Sequence, residues 1–295
     1  MRIVFIGTVL FSKSMLEKLI SINADLAGVV TSNDKGLNSD FADLEEICKQ
    51  ENIPVIKTNN INDNDSVDWL REKNPDVIFC FGWSQLIRKS VLDIPDGGVI
   101  GYHPSALPKN RGRHPLIWAL VLGLSETAST FFMMDSGADS GDILSQVKVN
   151  IDDTDTASTL YKKITGVAEV QLELLVAGLA EGSIQQKPQN HELANIWRKR
   201  DVRDGEIDWR MSAVNIYNLV RGLTHPYVGA SFRFNENEVK LWKSKILLSN
   251  EFSNIEAGKI VSISTEGNPI VKCGDDCLEL MEVEPNILFQ LGDYL

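Results

Sequence analysis

The chain has 295 residues, 43% hydrophobic and 24% charged, with a formal net charge of −12. That composition is ordinary for a globular protein and long enough for one or two domains with a substantial core. No run of about 18 apolar residues is present to span a membrane, and the start reads as a strand rather than a basic-then-apolar leader; the expectation is a cytoplasmic protein with no membrane partner. So acidic a total argues against the basic stripe that neutralises nucleic-acid phosphates.

Residues 2–7 are an apolar run ending at Gly7, and a helix follows with Met15, Leu16, Leu19 and Ile20 on one side. Strands are predicted over 26–30, 54–56 and 77–80, with helices over 43–51 and 67–73 between them. This alternation implies an α/β fold, a Rossmann-like, doubly wound, mostly parallel sheet. The turn Gly7-Thr-Val-Leu-Phe-Ser12 is not Gly-x-Gly-x-x-Gly, so the dinucleotide fingerprint is absent. Apolar runs over 127–134 and 143–149 are expected to pair antiparallel. A closing helix over 158–179 carries an apolar stripe at Leu160, Ile164, Val167, Val170 and Leu174. Residues 1–181 read as one α/β domain and the polar stretch 182–203 as a linker. Residues 204–295 read as a smaller β-rich, OB-like domain: a helix over 213–223 and short strands over 228–233, 238–242, 258–264, 269–273 and 277–283. Of the four cysteines, Cys80 ends an apolar run and Cys273 and Cys277 bracket a turn without further ligands nearby, so no metal is expected.

One loop concentrates the chemistry. Gly101-Tyr-His-Pro-Ser-Ala-Leu-Pro-Lys-Asn-Arg-Gly-Arg-His-Pro115 directly follows the apolar Val99-Ile100 and holds two of the chain's four histidines. A glycine-bracketed Asp139 follows in Gly137-Ala-Asp-Ser-Gly-Asp142. Ligands bind at the carboxyl ends of strands in open α/β sheets, and an imidazole in one loop with a carboxylate in another can form an acid/base pair.

His103-Pro-Ser-Ala-Leu-Pro-Lys-Asn-Arg-Gly112, Trp118-Ala-Leu120 and Gly137-Ala-Asp-Ser-Gly-Asp142, in that order, resemble the folate-dependent formyltransferase family. The likeness extends to Arg2-Ile-Val-Phe-Ile-Gly-Thr8 with Phe11-Ser12, and to Asp204-Gly-Glu-Ile-Asp-Trp209, Asn218-Leu-Val-Arg221 and His225-Pro-Tyr227. The resemblance implies 10-formyltetrahydrofolate as co-substrate, His103 as donor to the oxyanion, and Asp139 as the group that holds that charge and relays the amine proton. It further implies that Gln85 and Ile87 offer backbone hydrogen bonds to the pterin, with Trp83 and Leu86 walling its cavity. The family's usual Asn is Gly101 here; Asn110, His114 or a water then has to supply the missing donor. Within the family, the acidic charge and the residues 31–40, with one Lys against two Asp, favour the sugar N-formyltransferase branch. The expected acceptor is the amine of a nucleotide-linked amino sugar, used in surface-polysaccharide synthesis, with Lys109, Arg111 or Arg113 toward its phosphates, Tyr227 toward its base and no nucleic-acid partner. A homodimer through the β-rich domain is an open option. The alternatives are a methionyl-tRNA formyltransferase and a non-catalytic folate- or nucleotide-sugar-binding homologue.

Overall fold

The computed structural model describes residues 1–32, 39–249 and 251–295. Most of the 31–40 loop, including Asp34 and Lys35, therefore lies outside the described residues. The chain divides into two units. One comprises residues 1–115, 127–149 and 162–198; the other comprises residues 116–126, 150–161 and 199–295.

In chain order the elements up to the closing helix are β1 (Arg2–Ile6), α1 (Leu10–Ser21), β2 (Asp25–Thr31), α2 (Glu45–Gln50), β3 (Val55–Lys57), α3 (Asn64–Glu72), β4 (Val77–Cys80), α4 (Lys89–Leu92), β5 (Val99–His103), β6 (Arg111–Gly112), α5 (Pro115–Val121), β7 (Glu126–Met133), β8 (Ile143–Asn150) and α6 (Ala157–Glu181). The first unit is built on a seven-stranded sheet in the order β3-β2-β1-β4-β5-β7-β8. Strands β3, β2, β1, β4 and β5 run parallel, and β7 pairs antiparallel with β5. The strand order turns around between β1 and β4, and such a switch point opens a crevice at the carboxyl ends of the strands. The loops after β1, β4 and β5 start there.

Strands with both faces covered read as continuous apolar runs; Val77–Cys80 is such a run and is buried throughout. Val4, Ile6, Ile78 and Val99 meet Leu70 and Val91 in one cluster. On β5 the side chains alternate, so Tyr102 faces away from Gly101 and His103. Tyr102 stacks on Phe11 at 4.2 Å and meets Phe131 edge-on at 4.9 Å, with Phe81 at the centre of the same group. Its hydroxyl pairs with Ser129 at 2.9 Å, and burial pushes its titration above the ordinary tyrosine range. This anchor leaves the other face of β5 to the histidine.

Ser12 ties the start of α1 to β4. Its Oγ accepts from the Thr8 and Val9 amides at 3.1 and 3.2 Å and donates to the Phe81 carbonyl at 2.6 Å. Ser12 is fully buried. Ser12→Ala strands these groups away from water, and its expected cost is about 1–3 kcal/mol, read as a lowered denaturation midpoint at unchanged m-value.

In α6 the buried face is Leu160, Ile164, Ala168, Leu172 and Leu175, whereas Val170 and Leu174 are exposed. The expected stripe thus holds at its start and drifts off the buried face. The helix has apolar residues on several sides, and packing rather than composition selects which are covered.

After α6 come β9 (Ile196–Trp197), α7 (Ala213–Leu223), β10 (Ala230–Phe234), β11 (Asn237–Leu247), β12 (Ile260–Ile263), β13 (Pro269–Lys272) and β14 (Cys277–Glu284), with single 3-10 turns at His191–Leu193 and Val202–Gly205. In the second unit β10-β11-β14-β13-β12 form an antiparallel five-stranded sheet. Ser212 caps α7 by accepting from the Asn215 amide. The helix lays Ile216, Leu219, Val220 and Leu223 into a core with Phe232, Val239, Leu241, Val271 and Leu278.

All four cysteines are free and buried. Burial pushes the Cys80 and Cys273 thiols up to about 12, so both stay protonated. Among the described residues no group of three or more His, Cys, Asp or Glu is placed to hold a metal ion. No helix among them is long and apolar enough to cross a membrane.

Candidate active site

His103 is the last residue of β5 and only 5% exposed. Its Nε2 lies 2.8 Å from the carbonyl oxygen of Asn110. A carbonyl only accepts, so Nε2 carries a proton and the ring orientation is fixed. Nδ1 faces Oδ2 of Asp139 across 3.6 Å, too wide for a direct hydrogen bond. The same Oδ2 accepts from the Gly112 amide at 2.9 Å. The structure thus brings together the two residues that the loops suggested, with the carboxylate anchored and the imidazole turned toward it.

Backbone conformation supports this arrangement. Asn110, His114 and Asp139 adopt φ of 62°, 56° and 53°, a left-handed region that Asn, Asp and His enter more readily than other side chains. Gly112 has φ of 102°, and a Cβ there would lie 2.3 Å from the Trp197 carbonyl oxygen. Only glycine lets β6 run this close to β9, with which it pairs in parallel. Asn110 contributes through its main chain: its carbonyl locks His103, and its amide donates to Asn195 Oδ1 at 2.8 Å.

Gly101 lies directly opposite Phe132 in the β5–β7 pairing. A Cβ on Gly101 would be 2.8 Å from Phe132 Cζ and 2.9 Å from Met134 Cγ. The space toward which an asparagine at this position would project is filled by those two side chains.

The basic residues of the loop differ in their engagement. Arg111 is only 7% exposed; its guanidinium donates to Gln189 Oε1 from Nε at 3.2 Å and from Nη2 at 2.6 Å, and Nη2 lies 3.1 Å from His191 Nδ1. It is turned inward, away from any phosphate in solvent. Arg113 donates to the Ser84 carbonyl at 2.9 Å, linking the histidine loop to the segment after β4. Lys109 is exposed. Tyr227 belongs to the second unit and packs on its core.

In the segment after β4, Ile87 is buried and Leu86 is 60% exposed. The Gln85 side chain accepts from the Ile61 amide at 3.2 Å and donates to the Asn59 carbonyl. Trp83 packs on the cluster around Ile78, and its Nε1 is buried without a hydrogen-bond partner among the described residues. A buried donor without an acceptor is costly, and a polar ring bound here would supply one.

Gln189 was not read from the sequence as a site residue. Its Nε2 donates to the carbonyls of Asp139 and Gly141 at 3.0 and 2.6 Å, while its Oε1 takes both bonds from Arg111. It sits in a polar, aperiodic stretch, and only the preceding Pro188 marks the position.

The family model described as formyl transferase matches residues 1–176, and that of the formyl transferase C-terminal domain matches residues 200–287. A methionyl-tRNA formyltransferase of Clostridioides difficile is 34% identical over all of this chain and 96% of its own length. One of Halothermothrix orenii is 32% identical over 96% of this chain and 92% of its own. Among solved structures, the sugar 3N-formyl transferase WlaRD superposes with a TM-score of 0.72 at 20% identity, over 97% of this chain and 99% of that one. The methionyl-tRNA formyltransferase of Clostridium thermocellum gives 0.62 at 18%, over 85% and 95%. At such identities these two structures speak to the fold alone.

The full-length relatives overturn the expectation of a nucleotide-linked amino sugar as acceptor, of a role in surface-polysaccharide synthesis, and of no nucleic-acid partner. The physical fault lay in using the net charge. It sums the whole surface, whereas phosphates respond to charges within a screening length of about 8–10 Å. Local exposed cations such as Arg198, Lys199 and Arg203 are invisible in a total of −12. With models matching both halves and relatives matching end to end, the chain belongs to the formyl transferase family.

Proposed function

We propose that the protein is a methionyl-tRNA formyltransferase, moving the formyl group of 10-formyltetrahydrofolate to the methionyl amine. The observation that carries this choice of acceptor is the 32–34% identity to methionyl-tRNA formyltransferases over nearly the whole length of both partners. Acting on charged tRNA accords with a cytoplasmic location.

The residues of the first unit suit the chemistry. The neutral amine attacks the formyl carbon, negative charge builds on the formyl oxygen, the amine loses a proton, and the carbon–nitrogen bond to the folate breaks as the departing folate nitrogen takes up a proton to give tetrahydrofolate. Asp139, anchored by the Gly112 amide, takes the amine proton, directly or through a water. His103, held at Nε2 by the Asn110 carbonyl, presents Nδ1 on the side of Asp139. Protonated there, it donates to the oxygen as charge develops. The oxyanion is served without an amide from position 101. Trp83, Gln85, Leu86 and Ile87 form the pterin-binding segment, with Trp83 Nε1 as its unsatisfied donor.

The test is to incubate the protein with 10-formyltetrahydrofolate and initiator methionyl-tRNA and to follow formylmethionine on the tRNA by mass spectrometry. The expected result is formylation whose kcat/KM falls steeply with added salt, as phosphate contacts require. No formylation at low salt, where phosphate attraction is greatest, overturns the reading.

A further inference from the structure

The Gln189 side chain uses its whole hydrogen-bonding capacity between two loops. Both amide hydrogens go to main-chain oxygens of the 136–142 loop, at Asp139 and Gly141, and the amide oxygen accepts twice from Arg111. The residue is only 6% exposed, so little water competes. At the Gly141 end the main chain lies close against β7: a Cβ there would lie 1.8 Å from the Met133 carbonyl oxygen, so no side chain fits between. Asp139 adopts φ of 53°, a left-handed conformation that Asp enters more readily than most side chains but that hydrogen bonds to its main chain help to hold. Gln189 supplies one such bond, to the Asp139 carbonyl. The carboxylate is fixed separately by the amide of Gly112, the neighbour of Arg111. Gln189 is thus bonded both to the main chain of the residue bearing the carboxylate and to Arg111, in the loop whose Asn110 carbonyl orients His103.

We infer that Gln189 is a positioning residue for formyl transfer, holding Asp139 at its separation from His103 through the Asp139 and Gly141 carbonyls while touching no substrate. The inference rests on the proposed roles of His103 and Asp139. Gln189→Glu is the informative variant. It keeps the shape and the acceptor for Arg111, and it replaces a donor by an oxygen facing two carbonyl oxygens.

Its kcat is expected to fall about tenfold to a hundredfold, as for a small misplacement of a reacting group, with KM for both substrates nearly unchanged. In an Asp139→Asn background the same substitution is expected to leave kcat where Asp139→Asn alone puts it, because an effect exerted through the carboxylate vanishes with it. A further loss in that background, or a parent-like kcat in the single variant, overturns the inference. Hydrogen exchange at the Gly112 amide supplies a readout independent of activity: it is expected to quicken in Gln189→Glu, and parent-like protection overturns the inference. If the parent formylates no tRNA, the functional reading fails while the exchange experiment still decides the role of Gln189. Gln189→Asn, which keeps the amide but is one methylene too short to span both loops, is expected to behave the same way and serves if the Glu variant does not fold.

Discussion

Asp139→Asn is expected to lower the single-turnover rate of formyl transfer at least about a hundredfold, and His103→Ala by at least as much, the range for positioned proton transfer. The Asn substitution isolates charge from shape. Its side-chain oxygen still accepts from the Gly112 amide, which Asp139 now holds at 2.9 Å, and Asn tolerates the left-handed backbone that this position adopts. The fold and the folate affinity should therefore survive, and the thermal midpoint should move little. What disappears is a carboxylate able to take the amine proton. His103→Ala also removes the donor to the Asn110 carbonyl, so some loss of stability is expected alongside the loss of rate. A parent-like single-turnover rate in either variant removes that residue from the mechanism.

Gly101→Asn, which restores the amide usual in the family, is expected to slow the enzyme and to destabilise it by about 1–3 kcal/mol, the cost of overfilling a packed region. The new Cβ alone would sit 2.8 Å from the Phe132 ring, before the amide is accommodated. Met134 is flexible and can retreat, but Phe132 is 3% exposed and packs with Leu107 and Ile143. Pairing Gly101→Asn with Phe132→Val is expected to recover part of the stability. Urea denaturation and kcat on methionyl-tRNA measure both effects. A single variant as stable as the parent and faster would mean that the space is available and that an amide there helps.

Much of this was legible in the sequence, for identifiable reasons. The span Ala213–Leu223 could be read to the residue because Ser212 marks its start and one face is apolar. Val77–Cys80 is a short apolar run, and only a buried strand suits it there. His103 and Asp139 stand out as candidates because glycines and prolines frame them, and the fold places them 3.6 Å apart. Helix α5 escaped notice because Pro115 ends a proline-rich loop and also begins a helix, a position where its missing amide hydrogen costs nothing. The ring-filled space beside Gly101 depends on a cross-strand pairing with Phe132 that no local pattern announces. Arg111 reads as a surface cation in sequence, and only the folded chain reveals that Gln189 and His191 engage it.

The stitching of the histidine loop to the 189–197 segment also bears on how the enzyme comes into being. Arg111 and Gln189 are 78 positions apart, and Asn110 and Asn195 are 85 apart. Contacts of such long range close late, because chain entropy must be lost before they form. During synthesis the sheet can assemble from β1 to β8 while the guanidinium of Arg111 still lacks its acceptor. The proposed centre therefore lacks its Gln189 and Asn195 contacts until residue 197 has left the ribosome, which places its completion in the final third of translation.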